Sequence, residues 1–361
     1  MLKILDRYII SKFLKTFFFT ALIFSLIALV IDLSEKVNKF ISKKIPLSEI
    51  FGEYYLNFIP WINSVLWPLF ALIAVIFFTS RMAKNSEIIS ILNAGVSYKR
   101  ILVPYMVAAS VLFLFHLTAN HFILPKGTKV LREFENKYLY LGNDQTQTSN
   151  IHFFIAEDSK VFIRYYNRRD TSASNFRLEN FENGKIKSIL KARTISYKEA
   201  PNIWTLRNYQ TRIFDDKTER IIKGSTTLDT VLNIDPKDFI KYSNQKDMMS
   251  TKELMEFIAS EKKKGVGATK KYEAEIHRRT SEPFTIILLT IIGVAIASRK
   301  VRGGVGLHIA IGVVLGAVYI LLSKFAFTFA QGENVSTLLG MWIPNIIFTF
   351  VALYLVFKAQ K

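Results

Sequence analysis

The chain has 361 residues, half of them hydrophobic, with 30 Phe, no Cys and a formal net charge of +19. The absence of cysteine excludes disulfides, cysteine-ligated metals and thiol catalysis. Positive mean hydropathy beside 21% charged residues means that very apolar stretches alternate with very polar ones, a pattern foreign to an ordinary soluble domain.

Taken from the N-terminus, "MLKILDRYIISK" places Ile4, Leu5, Tyr8 and Ile9 on one stripe, an interfacial helix leading into a span. Six apolar runs follow, each of about the length that crosses a hydrocarbon core of about 30 Å. They cover Phe13–Leu33, Leu56–Ser80, Ile101–Leu124, Pro283–Ser298, Val305–Phe329 and Leu338–Phe357. The fourth is short, and the second contains Pro60 and Pro68, which neighbouring helices must compensate. The first lacks a small-residue cleavage site and reads as an uncleaved span.

Lys and Arg concentrate in the N-terminal segment (Lys3, Arg7, Lys12, Lys15), in the loop with Arg81, Lys84, Lys99 and Arg100, in Arg299, Lys300 and Arg302, and in Lys358 and Lys361. By the positive-inside rule both termini are expected in the cytoplasm. The stretch from Lys126 to Glu282 is then expected outside it.

Between the second and third runs, "NSEIISILNAGVSYKR" has the signals of a short amphipathic helix over about 85–95. Asn85 is the expected N-cap, Glu87 lies in the first turn, and Gly95 is the natural stop with a Val96–Ile91 contact. Ile88, Ile91 and Leu92 form an apolar stripe. Such a helix either lies on the bilayer or seats in a groove of a cytoplasmic partner, where Glu87 meets a basic residue. No Walker A motif occurs, so a nucleotide-driven motion would require a second polypeptide.

From Ile151 onward come short β-rich runs. Asn183-Gly184 is a type I′ hairpin signal. A sandwich or jellyroll-like sheet is expected over about 140–240, with Phe154 and Phe162 facing inward. A helical segment, "TKELMEFIASEKKKG" then "TKKYEAEIHRRTSEPF", returns the chain to the membrane. The expected division is 1–125 as an N-terminal half with three spans, 126–250 as the β domain, and 251–361 as the helical return with three more spans.

The histidines (His116, His121, His152, His277, His308) are scattered, no H-E-x-x-H or nucleophile elbow occurs, and Asp215-Asp216 reads as a turn. No catalytic residue, metal site or cofactor is expected. Gly312-x-x-x-Gly316 permits close helix approach, inside the chain or between subunits. Lys36, Lys39 and Lys43 follow the first span on the outer side, where they are either solvated or attract an anionic lipid. Lys262–Lys264, Lys270, Lys271, Arg278 and Arg279 point the same way. The charge flanks membrane spans, so acidic lipid is a better partner than nucleic acid.

Several segments resemble the LptF/LptG (YjgP/YjgQ) permeases of lipopolysaccharide export. They are "LDRYIISKFLKTF", "NSEIISILNAGVSYKRILVP", "LNIDPKDF", "EIHRRTSEPFTIILLTIIGVAIA" and "RGGVGLHIAIGVVLGAVY", and they cover nearly the whole chain in order. The resemblance implies a six-span helical membrane protein of the bacterial inner membrane with an inserted periplasmic β-jellyroll-like domain. It implies a permease subunit rather than an enzyme, paired with a second family subunit above a cytoplasmic ABC ATPase dimer. Lipopolysaccharide would enter between the first and fifth spans of opposing subunits and pass through a lipoprotein partner to a periplasmic bridge. On this resemblance Glu87, Ile88, Ile91, Leu92 and Gly95 couple to the ATPase, and Lys36, Lys39 and Lys43 bind lipid. The alternatives are a different mechanotransmission-type ABC permease and a membrane-anchored receptor or scaffold whose β domain binds without transport.

Overall fold

The computed structural model describes residues 3–139, 146–147, 149–167, 170–215, 218–224, 227–232, 234–239, 241–242, 245–263, 269–299, 304–332 and 335–359. Asp216, Lys264, Lys300, Arg302 and Lys361, named above, lie outside them. Among the described residues, six helical segments are long and apolar enough to cross a membrane: span 1, Ile4–Ser42; span 2, Leu47–Lys84; span 3, Tyr98–Leu139; span 4, Lys270–Ala297; span 5, Gly304–Ala330; and span 6, Thr337–Ala359. An antiparallel β domain is inserted between spans 3 and 4. The protein is a helical membrane protein carrying a β domain.

The chain forms two compact units, the membrane bundle (1–138, 247–251 and 270–361) and a second unit (139–246 and 252–269). In the bundle, spans 2 and 4 are central. Their neighbours bury Phe70, Leu72, Val75, Ile76, Leu289 and Ile292. The fourth span runs on as one helix from Lys270, with Pro283 inside it. Asn345 of span 6 donates from Nδ2 to the Ser281 carbonyl at 2.8 Å, beside that proline. Its Oδ1 accepts from Tyr319 at 3.0 Å and Thr285 at 3.1 Å, so one side chain ties spans 4, 5 and 6. Interhelical polar contacts of this kind satisfy groups that lipid cannot. Gly312 and Gly316 pack within the chain: a Cβ on either would stand 2.3 Å from Ile76 Cδ1 or 2.5 Å from Leu69 Cδ1.

The second unit has strands β1 (Thr146–Gln147), β2 (Ser149–Ala156), β3 (Ser159–Asn167), β4 (Ser172–Glu182), β5 (Lys185–Glu199), β6 (Ile203–Asp215), β7 (Thr218–Gly224), β8 (Leu228–Val231) and β9 (Lys241–Tyr242). Strands β2 to β7 form an antiparallel meander, β8 also pairs with β6, and β1 pairs with β9. The β4–β5 turn is the expected two-residue hairpin, with Asn183 at φ 51° and Gly184 at φ 76°; both positive values define type I′.

A crease crosses this sheet. Asn150, Asn175 and Asn208 all adopt φ near 50°, the left-handed region that Asn tolerates better than most residues. Ladder registers on either side place Arg164 of β3 and Arg193 of β5 between them. At the crease each of β3 to β6 turns two successive residues from the core: Arg164-Tyr165, Ser174-Asn175, Arg193-Thr194 and Arg207-Asn208. Strict alternation is broken there, so buried residues change parity. Ile163, Phe176 and Ala192 lie on one side of the line, and Tyr166, Ala173, Ile195, Trp204 and Leu206 on the other, yet all belong to one core. Phe239 and Ile234 close that core; Trp204 Nε1 donates to the Ile234 carbonyl at 3.0 Å.

Phe154 and Phe162 do not face inward. The core residues of β3 are Val161 and Ile163, so Phe162 takes the opposite face, under the Arg177 guanidinium at 5.2 Å and beside the His152 ring at 4.6 Å. In "VFI" both phases are apolar, and the β-branched Val161 and Ile163 are the ones that pack on that side of the crease.

Candidate functional site

The short helix runs from Glu87 to Asn93. Its N-cap is Ser86, at φ 59°, rather than Asn85. Span 2 extends as far as Lys84, and Asn85 is consumed as its C-cap. The stop follows expectation: Gly95, at φ 83°, donates to the Leu92 carbonyl at 2.9 Å and Val96 to the Ile91 carbonyl at 3.4 Å, the bond pair of a Schellman motif. Ser97 then caps span 3, accepting from the Arg100 amide at 3.3 Å.

The apolar stripe divides. Ile88 is 2% exposed and belongs to the bundle core, with Ile91 and Val96 packed on the same side. Leu92 and Ile89 are exposed. The outward apolar surface is therefore Ile89 and Leu92; Ile89 falls off the i, i+3, i+4 stripe and so is not marked by the sequence pattern.

Glu87 is not free. Its carboxylate accepts from Tyr8 Oη at 3.4 Å and from Asn85 Nδ2 at 3.3 Å. Close by, Asp6 is 3% exposed and receives a fork from Arg100, Nη1 to Oδ1 at 2.8 Å and Nη2 to Oδ2 at 2.7 Å. The Lys3 amide donates to the same carboxylate at 2.9 Å. Charged, bidentate bonds of this type are among the strongest in proteins. Asp6 and Arg100 lie too far apart in the chain for the sequence to pair them. The only signal is an acid inside an otherwise basic segment.

The three lysines after span 1 do not form one cluster. Lys36 reaches back to Asp32 Oδ1 at 2.6 Å, hydrogen-bonds the Tyr54 hydroxyl and lies 3.9 Å from Glu135. Its ammonium sits 4.8 Å from the Tyr54 ring centre and 5.6 Å from that of Phe58. Lys39 and Lys43 are exposed, Lys43 donating to the Tyr138 carbonyl. The second basic group divides likewise: Arg279 is buried against Glu275, and Arg278 binds both Glu275 and Glu282. One further cation was missed. Lys324 is exposed within span 5, among exposed Leu321, Phe325 and Phe329. A charge inside an apolar span is the signal that marks it.

Spans 1 and 5 are the least buried. Phe18, Leu22, Leu26 and Val30 make an exposed stripe on the first; Ile311, Val314, Val318, Leu321 and Phe325 make one on the fifth. Among the histidines, His308 Nδ1 pairs with Ser80 at 2.8 Å, His121 Nδ1 with Thr251 at 2.9 Å, and His116 packs on Trp67.

The profile of the lipopolysaccharide export system permease family LptF/LptG matches residues 7–358. The chain belongs to this family. A permease protein LptG of the lipopolysaccharide export system from Haemophilus influenzae is 22% identical over 309 residues, 84% of each chain. The LptF/LptG family is one of transporter permeases, and this member is a multi-pass membrane permease of lipopolysaccharide export.

Proposed function

We propose that this LptF/LptG permease is the membrane half of an ABC transporter that lifts lipopolysaccharide out of the inner membrane. The observation that carries the reading is the helix Glu87–Asn93, closed by a Schellman stop, with its inner side in the bundle core and Ile89 and Leu92 outside. A helix anchored so firmly moves the bundle when it is pushed. An apolar knob beside a carboxylate fits a groove with a basic residue on an ATPase. The basic loops put this helix and both termini in the cytoplasm, and the β domain in the periplasm.

The lipid side rests on charge at headgroup height over apolar walls. Exposed Lys39, Lys43 and Lys324 supply the charge, and the stripes of spans 1 and 5 are the walls. Lipopolysaccharide, with phosphates above acyl chains, has the complementary form. A second family subunit covers the open spans, and the β domain hands lipid to periplasmic β-jellyroll bridge components.

The test is affinity purification in mild detergent with identification of bound protein and lipid. Wild type recovers an ABC ATPase, a second permease and lipopolysaccharide. Glu87→Lys and Leu92→Asp lose the ATPase and keep the lipid. Undiminished ATPase recovery in both variants refutes the docking role; absence of any ATPase from wild type favours a receptor or scaffold.

A further inference from the structure

We infer that the Asp6–Arg100 ion pair is a latch joining the N-terminal end of span 1 to the head of span 3, which directly follows the short helix, so that span 1 acts as a rigid lever between that helix and the Lys36 cluster. This rests on the proposed docking role only for what moves the short helix; the latch itself is a property of the chain alone.

Two contacts from one turn of span 1 hold both flanks of the short helix. Tyr8 bonds Glu87 at its start, and Asp6 forks with Arg100 just beyond its end. Tyr8 also packs edge-on against Phe78 of span 2 at 6.0 Å. The short helix is therefore tied to span 1 directly by Tyr8–Glu87 and, across the loop 94–97, by a bidentate ion pair whose carboxylate is almost fully buried.

Span 1 is also built to transmit. It is one α-helix of 39 residues without Gly or Pro, about 58 Å long at 1.5 Å per residue. Every other span contains one or the other: Pro60 and Pro68 in span 2, Pro104 in span 3, Pro283 in span 4, Gly312 and Gly316 in span 5, and Pro344 in span 6. Sharp kinks occur almost entirely at such residues. The far end is clamped in turn. Asp32 and Lys36 of span 1 grip Tyr54 and approach Glu135. Asp6 and Lys36 are about 45 Å apart along this rod, and the stretch between them carries the exposed stripe Phe18 to Val30. A displacement at the short helix is thus delivered to the opposite end of span 1 with no joint on the way.

The chain has no cysteine, so introduced pairs can be spin-labelled without background. In the purified chain alone, labels at Ser11→Cys and Asn93→Cys, both exposed, should give a narrow distance distribution. Asp6→Asn and Arg100→Gln should broaden it. Arg100→Lys, which keeps the charge but loses the fork, should fall between. A wild-type distribution as broad as that of the variants overturns the latch, whether or not an ATPase binds. In the complex with its ATPase, in phosphatidylethanolamine–phosphatidylglycerol vesicles containing lipopolysaccharide, trapping with ADP and vanadate should leave the wild-type 11–93 distance unchanged. The latch variants should retain ATPase and lose at least tenfold in lipid extracted per ATP. The hinge variant Leu22→Gly/Ile23→Gly leaves both ends intact; it should keep the narrow 11–93 distance and lose the same coupling. Wild-type coupling in the hinge variant overturns the lever. Failure of wild type to bind an ATPase would instead refute the proposed transporter reading.

Discussion

Replacing Gly293 by Ala tests how tightly the two membrane halves interlock, since span 4 packs there against span 2. A Cβ at 293 would stand 2.3 Å from Val75 Cγ1 and 3.2 Å from Leu72 Cδ1, where carbon atoms normally rest about 3.5–4.0 Å apart. Val75 is fully buried in a helix, where a β-branched side chain holds one rotamer, so it cannot swing aside. Overpacking of this size costs about 1–3 kcal/mol. Against it stands about 0.5–1 kcal/mol from replacing a helical Gly by Ala. The single variant should lose about 1–2 kcal/mol. Val75→Ala removes two packed methyl groups and should cost about 1–3 kcal/mol. In the double variant the new methyl occupies the vacated space, and the propensity gain cancels from the cycle. The double variant should therefore be at least about 1 kcal/mol more stable than the sum of the singles. Unfolding in mixed micelles by SDS titration, followed by tryptophan fluorescence, measures all four proteins. Additivity within about 0.5 kcal/mol would show that the helices yield at 293 without consulting Val75, and would refute the reasoning.

Further outcomes follow from the same contacts. Lys39→Glu with Lys43→Glu should reduce lipopolysaccharide copurification about thirtyfold, at about 1 kcal/mol per lysine removed, while thermal stability is kept. Lys36→Glu should instead destabilise the fold by about 3–5 kcal/mol, because it leaves Asp32 and Glu135 facing a third carboxylate in a buried site; a normal melting temperature would contradict its inward placement. Asn345→Ala should cost about 1–2 kcal/mol in the same micelle assay, the range for interhelical hydrogen bonds in membranes. In the β domain, the Lys198 ammonium and then the Thr205 hydroxyl hold Asp229 below its ordinary carboxylate range, and Asp229 raises Lys198 in return. The pair's contribution is complete between the two ordinary pKa values. It fades as pH falls through the lowered Asp229 value, and again as pH rises through the raised Lys198 value. Amide-exchange protection of β8 should follow both limbs, and Asp229→Asn should abolish both.

The spans were legible because apolar runs of membrane length have few other uses. The stop of the short helix was legible from Gly95. Its N-cap was displaced by one residue because the preceding helix claims Asn85, a competition that local preference does not register. Lys36 carried its own warning: Asp32 stands four residues earlier, at the spacing of a helical ion pair, in a run that has no other reason to hold an acid. The pairing of Arg278 and the burial of Arg279 are signalled likewise by Glu275 and Glu282 on the same helix. Ile88 was harder to assign, since a stripe facing the chain's own bundle and one facing a partner look alike in sequence. The Asp6–Arg100 pair was beyond reach, because only the assembled bundle brings the first and third spans together.

The crease in the β domain has a consequence for how the sheet tolerates change. In an uncreased sheet, losing one residue from a strand inverts the facing of everything beyond the lesion. Here the facing already changes once in each of β3 to β6, at a line marked by Asn175 and Asn208. Deleting Asn175 would restore plain alternation in β4. Ala173 and Phe176 would then share a face two residues apart, while their partners Ile195 and Ala192 in β5 stay three apart, so one end of the β4 ladder would have to slip by a residue. The asparagines thus act as phase marks. They must be kept or lost together, and a lineage that drops one of them has to re-thread four strands at once.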